Sequence, residues 1–236
     1  MSAPLLEVKN VSNTYTSRKL GIFGKKEEQP VLDKVNLEIN RGEVFGLAGE
    51  SGSGKTTLGR CILGLIEYRG EILIDGLGQS SSGAGARGRA RKLGAVFQDP
   101  GAALNPVKKA GWLLEEPLRI HQIGTKKERL KQVDEMLNLI GLDSSYKKRW
   151  PGELSSGQKQ RVSIGCALML RPSLIIADEP VSSLDVSTGA QIINLFQDLK
   201  DTLGISLLFI SHNLELIHYL CDRVAVMERG RIADVR

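Results

Sequence analysis

The chain has 236 residues, 41% hydrophobic and 25% charged, the balance of a folded globular domain long enough to bury a core without disulfides. No apolar run approaches the roughly twenty residues that cross a bilayer, and Met1-Ser2-Ala3-Pro4 lacks the charged and apolar parts of a signal peptide. Cys61, Cys166 and Cys221 are too scattered for a metal cluster or a disulfide framework, which suits a reducing compartment, and a net charge of +5 reads as solvated lysine and arginine, with no nucleic-acid partner expected.

Leu5–Val11 alternates apolar and polar residues, as a half-buried strand does. The charged stretch from Arg18 to Gln29 reads as an exposed loop ended by Pro30, and Val31–Ile39 alternates again. Val44–Ala48 is a short apolar strand that runs into a glycine-rich loop, and Thr56–Ile66 has helical spacing of Leu58, Ile62, Leu63 and Ile66. Gly70–Gly76 is a strand and turn. Residues 78–92, rich in Gly, Ser and Arg, read as a mobile surface loop. Leu93–Phe97 is a strand. The segment from about 105 to 152 is lysine-rich, with helical periodicity over Trp112–Ile120 and Lys126–Ile140, and reads as a helical lobe inserted in one domain spanning 1–236. Ser155–Leu170 is a helix opened by a capping box, Ser155 to Gln158. A strand at Leu174–Ala177, a helix at Ala190–Leu203, a strand at Ile205–Ile210 and a strand pair at Val224–Met227 and Arg231–Ala233 complete the chain. Apolar strands alternating with helices predict an α/β fold around a buried parallel sheet, and no repeat of roughly 20–50 residues is present.

Two segments carry chemistry. Gly49-Glu50-Ser51-Gly52-Ser53-Gly54-Lys55-Thr56 matches G-x-x-x-x-G-K-[ST] with a strand before it and a helix, beginning Thr56-Thr57, after it. Glycines let successive N–H groups converge on phosphates at a helix N-terminus, the lysine reaches the β and γ phosphates, and the Thr56 hydroxyl serves Mg²⁺. ATP with Mg²⁺ is the ligand this predicts. The second segment, Leu174–Glu179, delivers two carboxylates at a strand end: Asp178 to hold Mg²⁺ and Glu179 to polarise the attacking water.

With these segments in place the chain resembles the ATP-binding subunits of ABC transporters, over nearly its whole length from Leu5 to Ile232. Leu154-Ser155-Ser156-Gly157-Gln158 is similar to that family's LSGGQ signature. Gln98 matches its Q-loop glutamine, Ser183-Leu184-Asp185 its D-loop, His212 its switch histidine and Tyr15 the aromatic residue that stacks on adenine. The resemblance implies a P-loop NTPase (RecA-like) core with an antiparallel β subdomain and the inserted helical subdomain. It implies Glu179, His212 and Gln98 as catalytic groups, Gln98 also near Mg²⁺, and Asp185 against a partner's phosphate loop. It further implies that the signature helix closes on the γ-phosphate held by a second ATPase subunit, so that two ATPs are sandwiched head to tail. Two residues depart from the pattern: Ser156 replaces a glycine, putting a Cβ and a hydroxyl at a crowded point, and Asn213 stands where Asp is common.

Within the family, the insertion between Tyr15 and Val31, Gly49–Gly54, Phe97-Gln98-Asp99-Pro100 and Leu104-Asn105-Pro106 resemble the peptide and nickel importer branch. That branch implies membrane permease subunits docked on the helical lobe and a second ATPase subunit, a heterodimer or a homodimer. It also implies an extracytoplasmic solute-binding protein acting indirectly, a place on the cytoplasmic face of the membrane, and a C-terminal tail; with the sequence ending at Arg236, either that tail is absent or the chain is a shortened form. The alternatives are an ATPase subunit of a soluble enzyme complex, as in the carbon–phosphorus lyase system, and a DNA- or translation-linked ABC ATPase. The last usually carries two cassettes or a long coiled-coil insertion, and neither is found in this sequence.

Overall fold

The computed structural model describes residues 3–18, 26–78 and 83–236. In chain order the first half contains β1 (Leu6–Arg18), β2 (Lys26–Ile39), β3 (Val44–Ala48), α1 (Lys55–Leu63), β4 (Arg69–Ile74), α2 (Gly83–Arg91), β5 (Leu93–Val96) and α3 (Pro100–Ala103). There follow α4 (Ala110–Ile120), α5 (Lys126–Leu139), 3-10 turns at Ser144–Lys148 and Pro151–Glu153, α6 (Ser156–Leu168), β6 (Leu174–Asp178) and α7 (Val186–Leu203). β7 (Ser206–Ile210), α8 (Leu214–Leu220), β8 (Arg223–Glu228) and β9 (Arg231–Val235) close the chain. It divides into two compact units, Met1–Arg89 with Leu208–Arg236, and Ala90–Leu207. None of the described helices is long and apolar enough to cross a membrane.

In the first unit β2, β1 and β4 form a three-stranded antiparallel sheet. Its buried residues are Leu6, Val8 and Val11 from β1 and Leu32, Val35, Leu37 and Ile39 from β2; at the start of β2 Leu32 is buried while Val31, which the alternation marks, is half-buried. A bulge after Val8 lets Val11 pair with Val35. Asn10 takes a left-handed conformation there, and its amide donates to Asn36 Oδ1 at 2.9 Å. The strands run further than alternation suggests. Lys26–Pro30, expected as the end of a loop, pair with Thr14–Arg18, because backbone pairing needs no apolar side chain and so leaves no periodic signal; residues 19–25 of that expected loop lie outside the described residues. β3 is buried at all five residues and pairs in parallel with β8, and β8 pairs antiparallel with β9. Burial on both faces is why β3 reads as an unbroken apolar run.

α1 stops at Leu63, earlier than its periodicity suggests, because the amides of Gly64 and Leu65 turn back to the carbonyls of Cys61 and Arg60. A larger correction concerns residues 78–92. Gly83–Arg91 is a helix, not a loop, while 79–82 lie outside the described residues. Its glycines disfavour helix by about 1 kcal/mol each, and a tertiary anchor accompanies it. Arg89 is buried, and its guanidinium donates to Ile62 O (2.9 Å) at the end of α1 and to Ile72 O (3.2 Å) in β4. One arginine therefore serves a helix C-terminus whose carbonyls have no partner within the helix.

In the second unit β5 and β6 run parallel, and Ser206 at the start of β7 donates its amide to Ser173 O beside β6. α4, α5 and α6 pack closely: a Cβ on Gly165 of α6 would lie 2.8 Å from Leu114 of α4 and 3.0 Å from Ile140 at the end of α5. α5 opens on a capping box, Thr125 with Glu128, and the Arg129–Glu115 pair (2.8 Å) ties α5 to α4. Both helices lie where the periodicity puts them. α7 begins four residues before the expected Ala190, because Asp185 caps it. The three cysteines are free thiols, and burial pushes the Cys61 thiol up to about 11.

Replacing Arg89 with Met removes the donors and leaves two buried carbonyls without them. The expected loss is about 1–3 kcal/mol of stability, measured as a lower urea midpoint, with the KM for nucleotide unchanged in the folded protein.

Candidate functional site

The phosphate loop leaves the buried end of β3. Gly49 has φ +147°, and a Cβ there would lie 2.3 Å from Met227 O and 2.9 Å from Ser53 Oγ, so no side chain fits. Gly52 and Gly54 also have positive φ. Gly54 is the N-cap of α1 and offers no side chain to the first-turn amides, so that turn presents N–H groups to an anion. Lys55 is buried, and its ammonium donates to Gly49 O (2.7 Å) and Glu50 O (2.8 Å), which sets a positive charge inside the loop. Ser53 Oγ is buried without a hydrogen-bond partner among the described residues. Amides, a fixed ammonium and an unused hydroxyl make a donor set that fits a polyphosphate chain. Thr56 and Thr57 follow in the first turn, half-buried, while Glu50, Ser51 and Gly52 are exposed.

A cleft of about 900 Å³ opens beside the loop, lined by Pro30–Asp33, Gly49–Ser53 and the β8–β9 hairpin. Tyr15 pairs with Gln29, next to that lining, and is 44% exposed, so part of its ring is open to stacking. The Ser211 amide donates to Leu47 O at 3.2 Å, which places the exposed His212 beyond the end of β3 in the same unit. Asn213 caps α8 through Oδ1, accepting from the amides of Glu215 (3.0 Å) and Leu216 (3.2 Å). An asparagine performs that task as well as an aspartate.

The second unit carries the other predicted residues. β5 and β6 pair with Val96 opposite Ala177, so Gln98 and the Asp178-Glu179 pair leave two neighbouring strands at the same end. Glu179 has φ +52°, a left-handed conformation uncommon in a residue with a side chain and further disfavoured before Pro180. A turn holds it there: Glu179 O accepts from the Ser182 amide (3.2 Å) and the Ser182 hydroxyl (3.0 Å). Strain maintained by surrounding bonds is a mark of functional positions. The next hydroxyl, Ser183 Oγ, donates to Gln98 O at 3.2 Å and ties the turn to the end of β5.

Asp185 is engaged within its own chain. Its carboxylate accepts from Ser187 Oγ (2.7 Å), the Thr188 amide (2.9 Å) and Thr188 Oγ1 (2.7 Å). The Ser187 hydroxyl first, then the Thr188 donors, hold it well below the usual carboxylate range. Ser155 caps α6 reciprocally with Gln158, as the sequence predicts. Ser156 is exposed, and within this chain the crowding falls one residue later: a Cβ on the buried Gly157 would lie 2.4 Å from Thr188 Cγ2.

Sequence reasoning named Ser183 only within the D-loop match, with no role of its own, and missed Thr188 and Gln160. The first two are ordinary polar residues in a turn, and only their tertiary bonds distinguish them. Gln160 is fully buried in α6, with neither amide atom hydrogen-bonded among the described residues.

The family model described as "ABC transporter" matches residues 32–182, more than half of the chain. This chain belongs to the ABC transporter ATP-binding family. Like other ABC ATPases it binds and hydrolyses ATP. A protein of Brucella ovis, provisionally named a peptide import ATP-binding protein, is 45% identical over 98% of this chain and 72% of its own length. Another so named, from Brucella abortus, is 47% identical over 86% of this chain and 62% of its own. Among solved structures, the ATP-binding cassette MJ0796 in a dimeric post-hydrolysis state with ADP and Pi is similar at TM-score 0.83 and 31% identity, covering 98% of this chain and 97% of that one. CbiO1 of Clostridium perfringens, part of the CbiONQ ABC transporter complex, is similar at TM-score 0.84 and 28% identity, covering 99% and 88%. The α/β fold is therefore that of ABC ATPases.

Gly49→Ala puts a methyl against the Met227 carbonyl. It is expected to weaken ATP binding at least about tenfold, read by nucleotide fluorescence titration, with circular dichroism checking that the chain still folds.

Proposed function

We propose that this ABC ATPase powers an importer of peptides, or of nickel or a nickel chelate, as a peripheral subunit on the cytoplasmic face of the membrane. The observation that carries the reading is the 45% identity, over 98% of this chain, to a protein named for peptide import. Its partners are hydrophobic permease subunits, a second ATPase subunit and, through the permease, a solute-binding protein. The dimeric MJ0796 structures support a two-subunit engine.

ATP supplies the phosphoanhydride bond whose cleavage drives the cycle. Lys55 and the loop amides bind the phosphates, and the Tyr15 ring stacks on adenine. The donors assigned to Mg²⁺, the Thr56 hydroxyl, the Asp178 carboxylate and the Gln98 amide oxygen, are all hard oxygen ligands, the set that cation prefers. Glu179 accepts a proton from the attacking water, and His212 hydrogen-bonds the γ-phosphate. The signature residues Ser155–Gln158 aim a helix N-terminus at ATP bound by the partner subunit, and the exposed Ser156 stands on that helix.

Copurification from membranes with hydrophobic permease subunits is the expected result, and recovery with soluble enzymes alone would overturn the transport reading. Glu179→Gln is expected to keep ATP affinity and lower turnover at least about 100-fold, measured by phosphate release, and to trap an ATP-bound dimer. Ser156→Gly is expected to leave this chain's ATP affinity unchanged and to raise hydrolysis at the partner's site, seen when the chain is paired with a partner whose own half-site is the only active one.

A further inference from the structure

Thr188 stands where two functional segments meet. Its backbone amide and hydroxyl both donate to the Asp185 carboxylate, at 2.9 and 2.7 Å, and bind both of its oxygens. Its methyl lies over the α-carbon of Gly157, one residue past the exposed Ser156 at the start of α6. Between the two contacts Val186 is 91% exposed, so the turn that Thr188 braces presents itself to solvent. A single side chain thus joins the acidic turn to the signature helix. A β-branched threonine suits this, because its hydroxyl and methyl diverge from one stiff Cβ. Serine keeps only the hydroxyl, and valine keeps only methyls.

We propose that Thr188 is a positioning residue of the ATPase, holding the Asp185 carboxylate and the N-terminus of the signature helix as one rigid surface for the partner subunit. This rests on the reading of Asp185 and Ser155–Gln158 as the groups that meet a second ATPase subunit. Gly157 has no room for a Cβ while Thr188 occupies that space, and displacing Thr188 from Gly157 also displaces it from Asp185. Helix capping alone requires only the carboxylate and the amide. The hydroxyl and the seat on Gly157 are additional to it.

The test uses the full chain with its partner subunit and four variants. Thr188→Val is expected to lower kcat at least about fivefold with KM for ATP within about twofold, and Thr188→Ser, which keeps the hydroxyl and loses the seat on Gly157, to fall by a smaller amount. Gly157→Ala, whose new methyl collides with Thr188 Cγ2, is expected to fall at least about tenfold, and Gly157→Ala with Thr188→Ser, which lacks that Cγ2, to recover much of the loss. A merely structural role would move the urea midpoint and leave kcat per folded molecule, so full kcat in Thr188→Val would overturn the proposal. So would a double variant no better than Gly157→Ala. ATP-dependent association of Glu179→Gln, followed by size-exclusion chromatography, separates the two levels. If Glu179→Gln alone does not associate, the two-subunit reading fails and the proposal falls with it. If it associates, and adding Thr188→Val does not weaken association or turnover, only the proposal fails.

Discussion

Gly49, where the chain leaves β3, lies under the carbonyl of Met227, at a separation no side chain could tolerate. Much of the first unit is arranged around that contact. The β8–β9 hairpin supplies the carbonyl, and the amide of Gly230 in the same hairpin donates to Ser53 O at 2.9 Å. β2 reaches the hairpin as well, through the Asp33 amide to Gly230 O at 2.9 Å. The loop is thus clamped between a hairpin and a sheet before any nucleotide arrives. Preorganised donors are worth more than flexible ones, because their ordering entropy has already been lost in folding. The buried Lys55 ammonium completes the arrangement, placing a charge among carbonyls where an anion can share it.

The second unit shows a different economy. From Glu179 to Thr188 each short polar side chain ties the turn to something: Ser182 to Glu179, Ser183 to Gln98, Ser187 and Thr188 to Asp185. Such bonds compete with regular structure and favour turns and caps over continued strand or helix. They also hold a backbone conformation at Glu179 that an unsupported residue would leave. The turn is therefore a segment cross-linked by its own side chains.

A subunit of this kind is a motor part, and its chemistry says little about its cargo. On the proposed reading the phosphate loop, the carboxylates and the signature helix act on ATP whatever is transported. What distinguishes one assembly from another lies on surfaces that meet other chains. In the helical segment Lys108 and Arg119 both lie over Trp112, and Lys109 lies over Trp150. Fold alone does not carry function, so the importer reading leans on named relatives, while the ATPase reading stands on family and residues together.

The phosphate loop and the Ser155–Gln158 capping box were legible in the sequence because their physics is local: glycine conformation, helix caps and residues a few positions apart. The α/β order was legible because strands buried on both faces read as apolar runs, as β3 and β6 do. Three features were not. Gly83–Arg91 looks like a loop by composition and is a helix that Arg89 anchors from its end. The pairing of Lys26–Pro30 with Thr14–Arg18 uses backbone bonds that no side-chain pattern reports. The joining of Gly157 to Asp185 through Thr188 depends on two helices meeting, and residues 31 apart in sequence become neighbours only when they pack. The sequence by itself determined that the chain binds ATP and which residues form the glycine-rich loop, because that loop is built from consecutive residues. The tertiary structure decided which side chains hold the acidic turn, the strained glutamate and the signature helix in place, because those restraints are contacts between segments.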